Sequence, residues 1–293
     1  MILIDGKQIA LDIRNELRAK ILDSKKELKR IPGLVAILVG ENPASKIYVS
    51  SKAKACEEVG IISLTEKLPE GISEAELLAI INKYNNDDKI NGILVQLPLP
   101  DHINEDKIIE AIFPEKDVDG FHPINVGKLV IGKETFVSCT PAGIQELLKR
   151  YNIPTKGKHV VVLGRSNIVG KPIANILLQK KEYANSIVTI CHSAAPDIKQ
   201  FTLQADILIA AIGSPEFVKG NMVKNGCAVI DVGINRINDP STAKGYRIVG
   251  DVEFESVSKK ASYITPVPGG VGPMTIAMLL SNTYKSFIQA SCK

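Results

Sequence analysis

The sequence predicts an α/β protein of two open-sheet domains, and three observations carry that prediction. Strand-like apolar runs alternate with amphipathic helical ones from end to end, the order that builds parallel sheets covered by helices. The runs are near-continuous in β-branched residues, as in strands buried on both faces. The 293 residues exceed the usual size of one domain, and 45% hydrophobic with 23% charged residues is enough to fill real cores.

The elements follow in chain order. "GLVAILVG" (33–40) is the first buried-strand run. "NPASKIYVSSKAKACEEVG" (42–60) opens with turn residues, continues at helical spacing and stops at Gly60, a left-handed cap. "SEAELLAIINKY" (73–84) begins with a capping box, Ser73 against Glu76. "NGILVQL" (91–97) is the next strand. Periodicity then lapses over 117–140, which places residues 1–138 in a first domain and 139–273 in a second. Thr140 and Pro141 read as the N-cap and first position of the helix "PAGIQELLKRY". Four further strands follow: "HVVVLG" (159–164), "SIVTIC" (186–191), "DILIAAIG" (206–213) and "CAVIDVG" (227–233). A last helix closes the chain, and segment 274–293 is expected to pack back on the first domain.

Composition excludes several classes. Five dispersed cysteines (Cys56, Cys139, Cys191, Cys227, Cys292) without CxxC spacing read as reduced thiols that fill core. The histidines His102, His122, His159 and His192 lie far apart and form no HExxH, so no metal is expected. A net charge of +4, no Trp and no arginine-rich run fall short of a nucleic-acid footprint but suit a small anionic ligand. The start meets charge at Asp5 and Lys7 and builds no signal-peptide core, and no apolar run reaches bilayer length. The expectation is a cytoplasmic protein acting on a small molecule, with neither nucleic acid nor membrane as partner.

The stretch "VVVLGRSNIVGKP" (160–172) admits two phosphate readings. A Walker A loop needs four residues between its glycines and a hydroxyl after Gly-Lys. Here five residues separate Gly164 from Gly170, and Pro172 stands where the hydroxyl belongs, so that reading fails. As a dinucleotide turn, Gly164 supplies the tight bend, Ser166 replaces the second glycine, and Gly170 admits the helix that follows. A ligand-free strand-to-helix turn accounts for the same pattern. The next strand ends "TICHSAAPD" with no acid at its tip for a ribose hydroxyl, while Arg165 offers a forked donor to a 2′-phosphate. NADP is therefore preferred to NAD.

In the first domain Tyr48 and Lys52 stand four apart on one helix face, a natural acid/base pair. A solvated face places Tyr and Lys four apart just as well. Short-chain dehydrogenases carry Tyr-xxx-Lys after the glycine turn; here it precedes the turn by over a hundred residues, which excludes them. Gln96 closes a buried strand where open sheets place ligands, though it also serves as an ordinary polar cap. Asp117 and Asp119 beside Gly120 suit a plain turn as well as a site.

Taken in order, "YVSSKAKACEEVG", "GILVQLPLP", "PEKDVDGFHP", "GRSNIVGKP", "VIDVGIN" and "ITPVPGGVGPMT" resemble the bifunctional methylenetetrahydrofolate dehydrogenase/cyclohydrolase family over essentially the whole chain. The resemblance implies a folate domain and a Rossmann-like NAD(P) domain with a cleft between them, and a homodimer. It implies hydride transfer from 5,10-methylenetetrahydrofolate to NADP⁺ and hydrolysis of the methenyl product to 10-formyltetrahydrofolate. By resemblance Lys52 is the catalytic lysine, Tyr48 shapes the folate pocket, Gln96 tunes the lysine and Asp119 takes the pterin ring. Pro268 and Gly269 line the folate site; Gly164, Arg165, Ser166, Ser193 and Ile234 bind the dinucleotide.

Two departures are local. Ser138 stands where the family commonly has Pro. Ala194 and Ala195 follow Ser193 where a basic residue and a Thr are common, which weakens the 2′-phosphate case and leaves NAD open. The runner-up readings are a dehydrogenase-only member, another two-domain NAD(P) oxidoreductase, and a non-catalytic binding protein.

Overall fold

The computed structural model describes residues 1–242 and 245–291; Cys292 and the end of segment 274–293 lie outside them. The chain divides into two compact units: Leu11–Cys139 with Ile276–Lys293, and Met1–Ala10 with Thr140–Thr275.

The elements in chain order are β1 (Ile2–Leu3), α1 (Gly6–Leu28), β2 (Gly33–Val39), α2 (Pro43–Val59), β3 (Ile62–Leu68), α3 (Glu74–Asn85), β4 (Gly92–Val95), α4 (Glu105–Ala111), α5 (Pro123–Val130) and α6 (Cys139–Arg150). They continue with β5 (His159–Leu163), α7 (Gly170–Leu177), β6 (Ile187–Cys191), α8 (Ile198–Thr202), β7 (Ile207–Ala210), β8 (Ala228–Asp231), β9 (Asn235–Asn238), β10 (Tyr246–Val249), α9 (Phe254–Ser258), β11 (Tyr263–Ile264) and α10 (Val271–Ser291).

The unit holding Leu11–Cys139 is built on a three-stranded parallel sheet, β3-β2-β4. Every residue of central β2 is buried, which its unbroken apolar run requires. Val35, Ile37 and Val39 pack with Leu77 and Ile81 of α3, Ile93 and Val95 of β4, and Ile108 of α4. The sequence reading missed β3 because Ser63, Thr65, Glu66 and Lys67 interrupt it; an edge strand half open to water needs no apolar run. α2 forms as its ends predict: Asn42 accepts the N–H of Ala44 and Ser45, and Gly60 closes it at φ 88°. Both bonds of the α3 capping box are present. The stretch 117–140 is not all loop. Short α5 lies within it, capped by His122 Nδ1 accepting the Ile124 N–H at 3.0 Å.

The other unit carries a six-stranded sheet in the order β1-β11-β8-β7-β5-β6, with every pairing parallel. Leu163, Ala210 and Asp231 stand in register, so β5, β7 and β8 end together at one edge of the sheet. Two expectations need correction. β6 is not buried on both faces: it is an edge strand, with Ile187 64% exposed. Thr140 does not cap α6, which already begins at Cys139; its Oγ1 instead pairs with Thr275 Oγ1 at 2.8 Å. The first ten residues, assigned from sequence to the first domain, pair through β1 with β11, a two-residue strand too short to leave a pattern. β9 and β10 form a separate antiparallel hairpin.

Candidate active site and dinucleotide turn

In the Leu11–Cys139 unit, α2 presents Lys52 and the chain leaving β4 presents Gln96. Lys52 Nζ donates to Gln96 Oε1 at 3.0 Å. The amide is aimed from both ends: Gln96 Nε2 donates to the Leu97 carbonyl at 2.8 Å, and its backbone N–H donates to Ile37 of β2 at 2.9 Å. Tyr48 lies one turn before Lys52 on the same face of α2, 46% exposed.

Asp117 and Asp119 have opposite surroundings. Asp117 is buried, and its carboxylate accepts the N–H groups of Gly120, Phe121 and His122 and the Asn125 amide, at 2.8 to 3.2 Å. That acid is spent on shaping the loop. Among the described residues the recorded donor to the Asp119 carboxylate is the weak Cys139 thiol, at 3.9 Å, which leaves it acceptor capacity for a ligand. Burial pushes its carboxyl up to about 6; the Asp117 charge adds to this, while Lys52 and the Cys139 thiol draw it down.

The Asp119 loop is held on its far side as well. Gly120 has φ +73°, and a Cβ there would stand 2.6 Å from the Ser138 nitrogen, so the loop lies flat on residues 137–138. Asn282 of α10 donates to the carbonyls of Val118 and Val137, at 2.8 and 3.1 Å. Sequence reading missed Asn282, because nothing in a helix 164 residues from Val118 announces a loop partner. The four described cysteines are all buried. Burial pushes the thiols of Cys56 and Cys227 up to about 12 and that of Cys139 far above its ordinary value, so they are inert as nucleophiles.

In the other unit, Gly164 follows β5 at φ +121°. A Cβ there would stand 2.1 Å from the Ala211 carbonyl oxygen, and one on Gly170 would stand 2.3 Å from that of Gly164. Both positions therefore demand glycine, because strand, turn and helix backbones close on one another there. Ser166 has bonds within the turn itself. Its Oγ accepts the N–H of Val169 and Gly170, at 3.1 and 3.3 Å, so these donors at the start of α7 are already engaged. Residues 165–168 beside these donors are exposed. Arg165 and Ser193 are exposed, and Ile234 is 53% exposed just past the end of β8. His192 is a turn residue whose Nδ1 accepts the Ala194 N–H at 3.3 Å. Pro268 and Gly269 follow β11, with Gly269 at φ +110° and its carbonyl accepting from Lys7 at 2.9 Å. They belong to this unit, whereas Tyr48, Lys52, Gln96 and Asp119 belong to the other. Among the described residues no group of three or more His, Cys, Asp or Glu could hold a metal ion.

A parallel sheet with a glycine turn at the end where its strands finish, joined to a unit carrying a Lys–Gln pair beside a half-buried acid, defines a two-domain dinucleotide-dependent enzyme of the α/β class. Comparison with known proteins makes this particular. The catalytic-domain model of tetrahydrofolate dehydrogenase/cyclohydrolase matches residues 4–119, and its NAD(P)-binding-domain model matches 138–291. The chain belongs to the tetrahydrofolate dehydrogenase/cyclohydrolase family. It is similar to the bifunctional protein FolD of Chloroherpeton thalassium, 59% identical over 98% of each chain. The crystal structure of the bifunctional FolD from Campylobacter jejuni superposes with a TM-score of 0.93 at 54% identity over 99% of each chain. That of the Trypanosoma brucei dehydrogenase-cyclohydrolase, complexed with NADP cofactor and inhibitor, gives 0.93 at 40% identity, covering 99% of this chain and 98% of that one.

Proposed function

We propose that this protein oxidises 5,10-methylenetetrahydrofolate to 5,10-methenyltetrahydrofolate with NADP⁺ and hydrolyses that product to 10-formyltetrahydrofolate. The observation that carries the reading is the Lys52 ammonium nitrogen held at 3.0 Å on Gln96 Oε1, close enough to Asp119 for its charge to act on that carboxyl. When bound, the dinucleotide accepts a hydride from the methylene carbon.

The residues have separate tasks. Asp119 accepts from the pterin ring N–H and its exocyclic amine, a two-point fit that orients the ring. Tyr48 walls the folate pocket. Gln96 accepts one Lys52 hydrogen and so directs the nitrogen. In its neutral form the Lys52 amine takes a proton from water as the oxygen bonds to the cationic methenyl carbon. A carbon–nitrogen bond then breaks with its electron pair leaving on the nitrogen, to which Lys52 returns the proton, while the remaining hydroxyl proton is released to solvent as the formyl C=O forms. Pro268 and Gly269 supply a folate-facing backbone. Arg165 is exposed beside the turn and selects a 2′-phosphate, with Ser193 nearby in sequence to the next strand end, and Ile234 offers an apolar surface to the dinucleotide. The Trypanosoma relative solved with NADP supports this choice of cofactor. The same reading makes the protein a cytosolic homodimer; four buried free thiols suit a reducing compartment.

The test is one reaction. Purified protein, methylenetetrahydrofolate and NADP⁺ are mixed, and reduced cofactor and methenyl product are followed together. Cofactor reduction without methenyl accumulation is expected. Reduction with accumulating methenyl would leave a dehydrogenase alone, and no reduction with NADP⁺ or NAD⁺ would sink the reading.

A further inference from the structure

Two buried carboxylates in the dinucleotide unit have no role in the scheme above. Asp231 ends β8 and Asp251 follows β10; they are 3% and 0% exposed. Among the described residues neither pairs with a lysine, arginine or histidine; every recorded partner is a backbone N–H, an amide or a hydroxyl.

The partners form a pattern. Asp251 Oδ2 accepts the N–H of Ile212 and Gly213, at 2.7 and 3.0 Å, on the chain leaving β7. Its Oδ1 accepts from Asn235 Nδ2 at 2.9 Å. Asp231 Oδ1 accepts the N–H of Gly233 and Asp251, at 3.0 and 2.9 Å, and Oδ2 accepts that of Val252 at 3.0 Å. Two glycines make room for this. A Cβ on Gly250 would lie 1.7 Å from Asp231 Oδ2, and one on Gly233 would lie 2.4 Å from Asp251 Oδ1.

Three segments are thereby tied at the edge where the sheet's strands end: 212–213, 233–235 and 250–252. Ile234 is exposed, yet both its neighbours, Gly233 and Asn235, are bonded to this acid pair. Segment 212–213 continues from Ala211, whose carbonyl is the surface that Gly164 packs against. Asp251 thus joins the Ile234 loop to the floor of the glycine turn. Burying two carboxylates without a cation is unfavourable. Burial indeed pushes the Asp231 carboxyl up to about 7, its three backbone donors pulling the other way. A fold in need of loop closure alone has less costly neutral groups to use.

We propose that Asp251 is a positioning residue for the dinucleotide, fixing the Ile234 loop against the Gly164 turn through Asn235 and the N–H groups of Ile212 and Gly213. The inference rests on the dinucleotide reading of this unit. It predicts that the acid pair governs cofactor affinity and hydride transfer while leaving hydrolysis, which needs no dinucleotide, untouched.

The experiment uses the whole protein and separates those outcomes. NADP⁺ binding is measured by calorimetry, and hydrolysis of preformed methenyltetrahydrofolate is measured without dinucleotide. Asp251→Ala is expected to weaken NADP⁺ binding about tenfold or more and to lower dehydrogenase kcat/KM to match, with hydrolysis within about twofold of wild type. Asn235→Asp, a milder change that sets two carboxylates face to face, is expected to weaken NADP⁺ binding in the same way. Adding Asp251→Asn to that variant should restore binding, because the new amide can donate to the new carboxylate. Variants that bind NADP⁺ like wild type overturn the proposal. So do variants that lose hydrolysis in proportion to binding, or a double variant that restores nothing. Wild-type protein that opens methenyltetrahydrofolate yet binds no NADP⁺ instead removes the dinucleotide reading, and this inference with it.

Discussion

The unit carrying Lys52 and the unit carrying Gly164 build their sites from different materials. Around Lys52 the material is side chains: an amine on an amide oxygen, with an acid beside them that few donors reach. Around Gly164 the material is absent side chains: glycines at 164 and 170 where any Cβ would strike backbone, and at 233 and 250 where it would strike a buried carboxylate. A site of the first kind fails by losing a functional group while its shape survives. A site of the second kind fails by losing its shape. Substitutions should therefore separate chemistry from stability in one unit and confound them in the other.

The largest break in that comparison is Gly164→Ala. With φ +121° and a Cβ 2.1 Å from the Ala211 oxygen, backbone has to move. A loss of about 2–4 kcal/mol of stability and of measurable NADP⁺ binding is expected, read by thermal denaturation and calorimetry. Unchanged melting with unchanged binding would show that the turn tolerates a side chain and that its glycine has no shape role.

Next come the paired acids. Asp117→Asn trades an acceptor for a donor facing backbone N–H groups and should cost about 2 kcal/mol in denaturant unfolding. Asp119→Asn should not. The folded Asp119 pKa, about 6, lies above the ordinary 3.8. Its contribution to stability is thus fully present below pH 3.8 and is lost as pH rises through 6, so at pH 8 the variant should be at least as stable as wild type. Tetrahydrofolate binding moves oppositely. It should weaken in wild type as pH falls through about 6 and protonates the carboxylate, and in Asp119→Asn it should be weaker by about tenfold and flat over that range. A wild-type affinity that stays level from pH 7 to 5 would contradict the role given to Asp119.

The smallest effect is Arg165→Ala. NADP⁺ should bind about tenfold more weakly and NAD⁺ nearly as before, since only one carries the 2′-phosphate. Equal losses in steady-state kinetics with both cofactors would move the selection elsewhere.

How legible each region was follows the same division. Gln96 stood out as a polar residue closing a strongly patterned strand, Lys52 through its four-residue spacing from Tyr48, and Asp119 through the motif that the family resemblance picked out. The glycines of the turn were legible through their spacing, but the bonds of the Ser166 hydroxyl to the Val169 and Gly170 N–H groups were not, since they depend on which way one hydroxyl turns. Asp251 and Asn282 left no sequence signal, because most of their partners are backbone groups far away in the chain. Asp231 could have been noticed as an acid closing the otherwise apolar β8. β1 and β11 are too short, and β3 too polar, to read as strands; each is specified by its neighbour in the sheet. Thr140 looked like a cap because its residue type and the following proline fit one, but the helix had started a residue earlier.

The central claim is that one chain carries both steps, with Lys52 as the acid–base group of the second. It is tested most directly by supplying preformed 5,10-methenyltetrahydrofolate, without dinucleotide, to wild type and to Lys52→Met. Wild type should open it, and the variant should be slower by on the order of 10²–10⁴-fold with its melting unchanged. Opening at the wild-type rate by Lys52→Met would contradict the account.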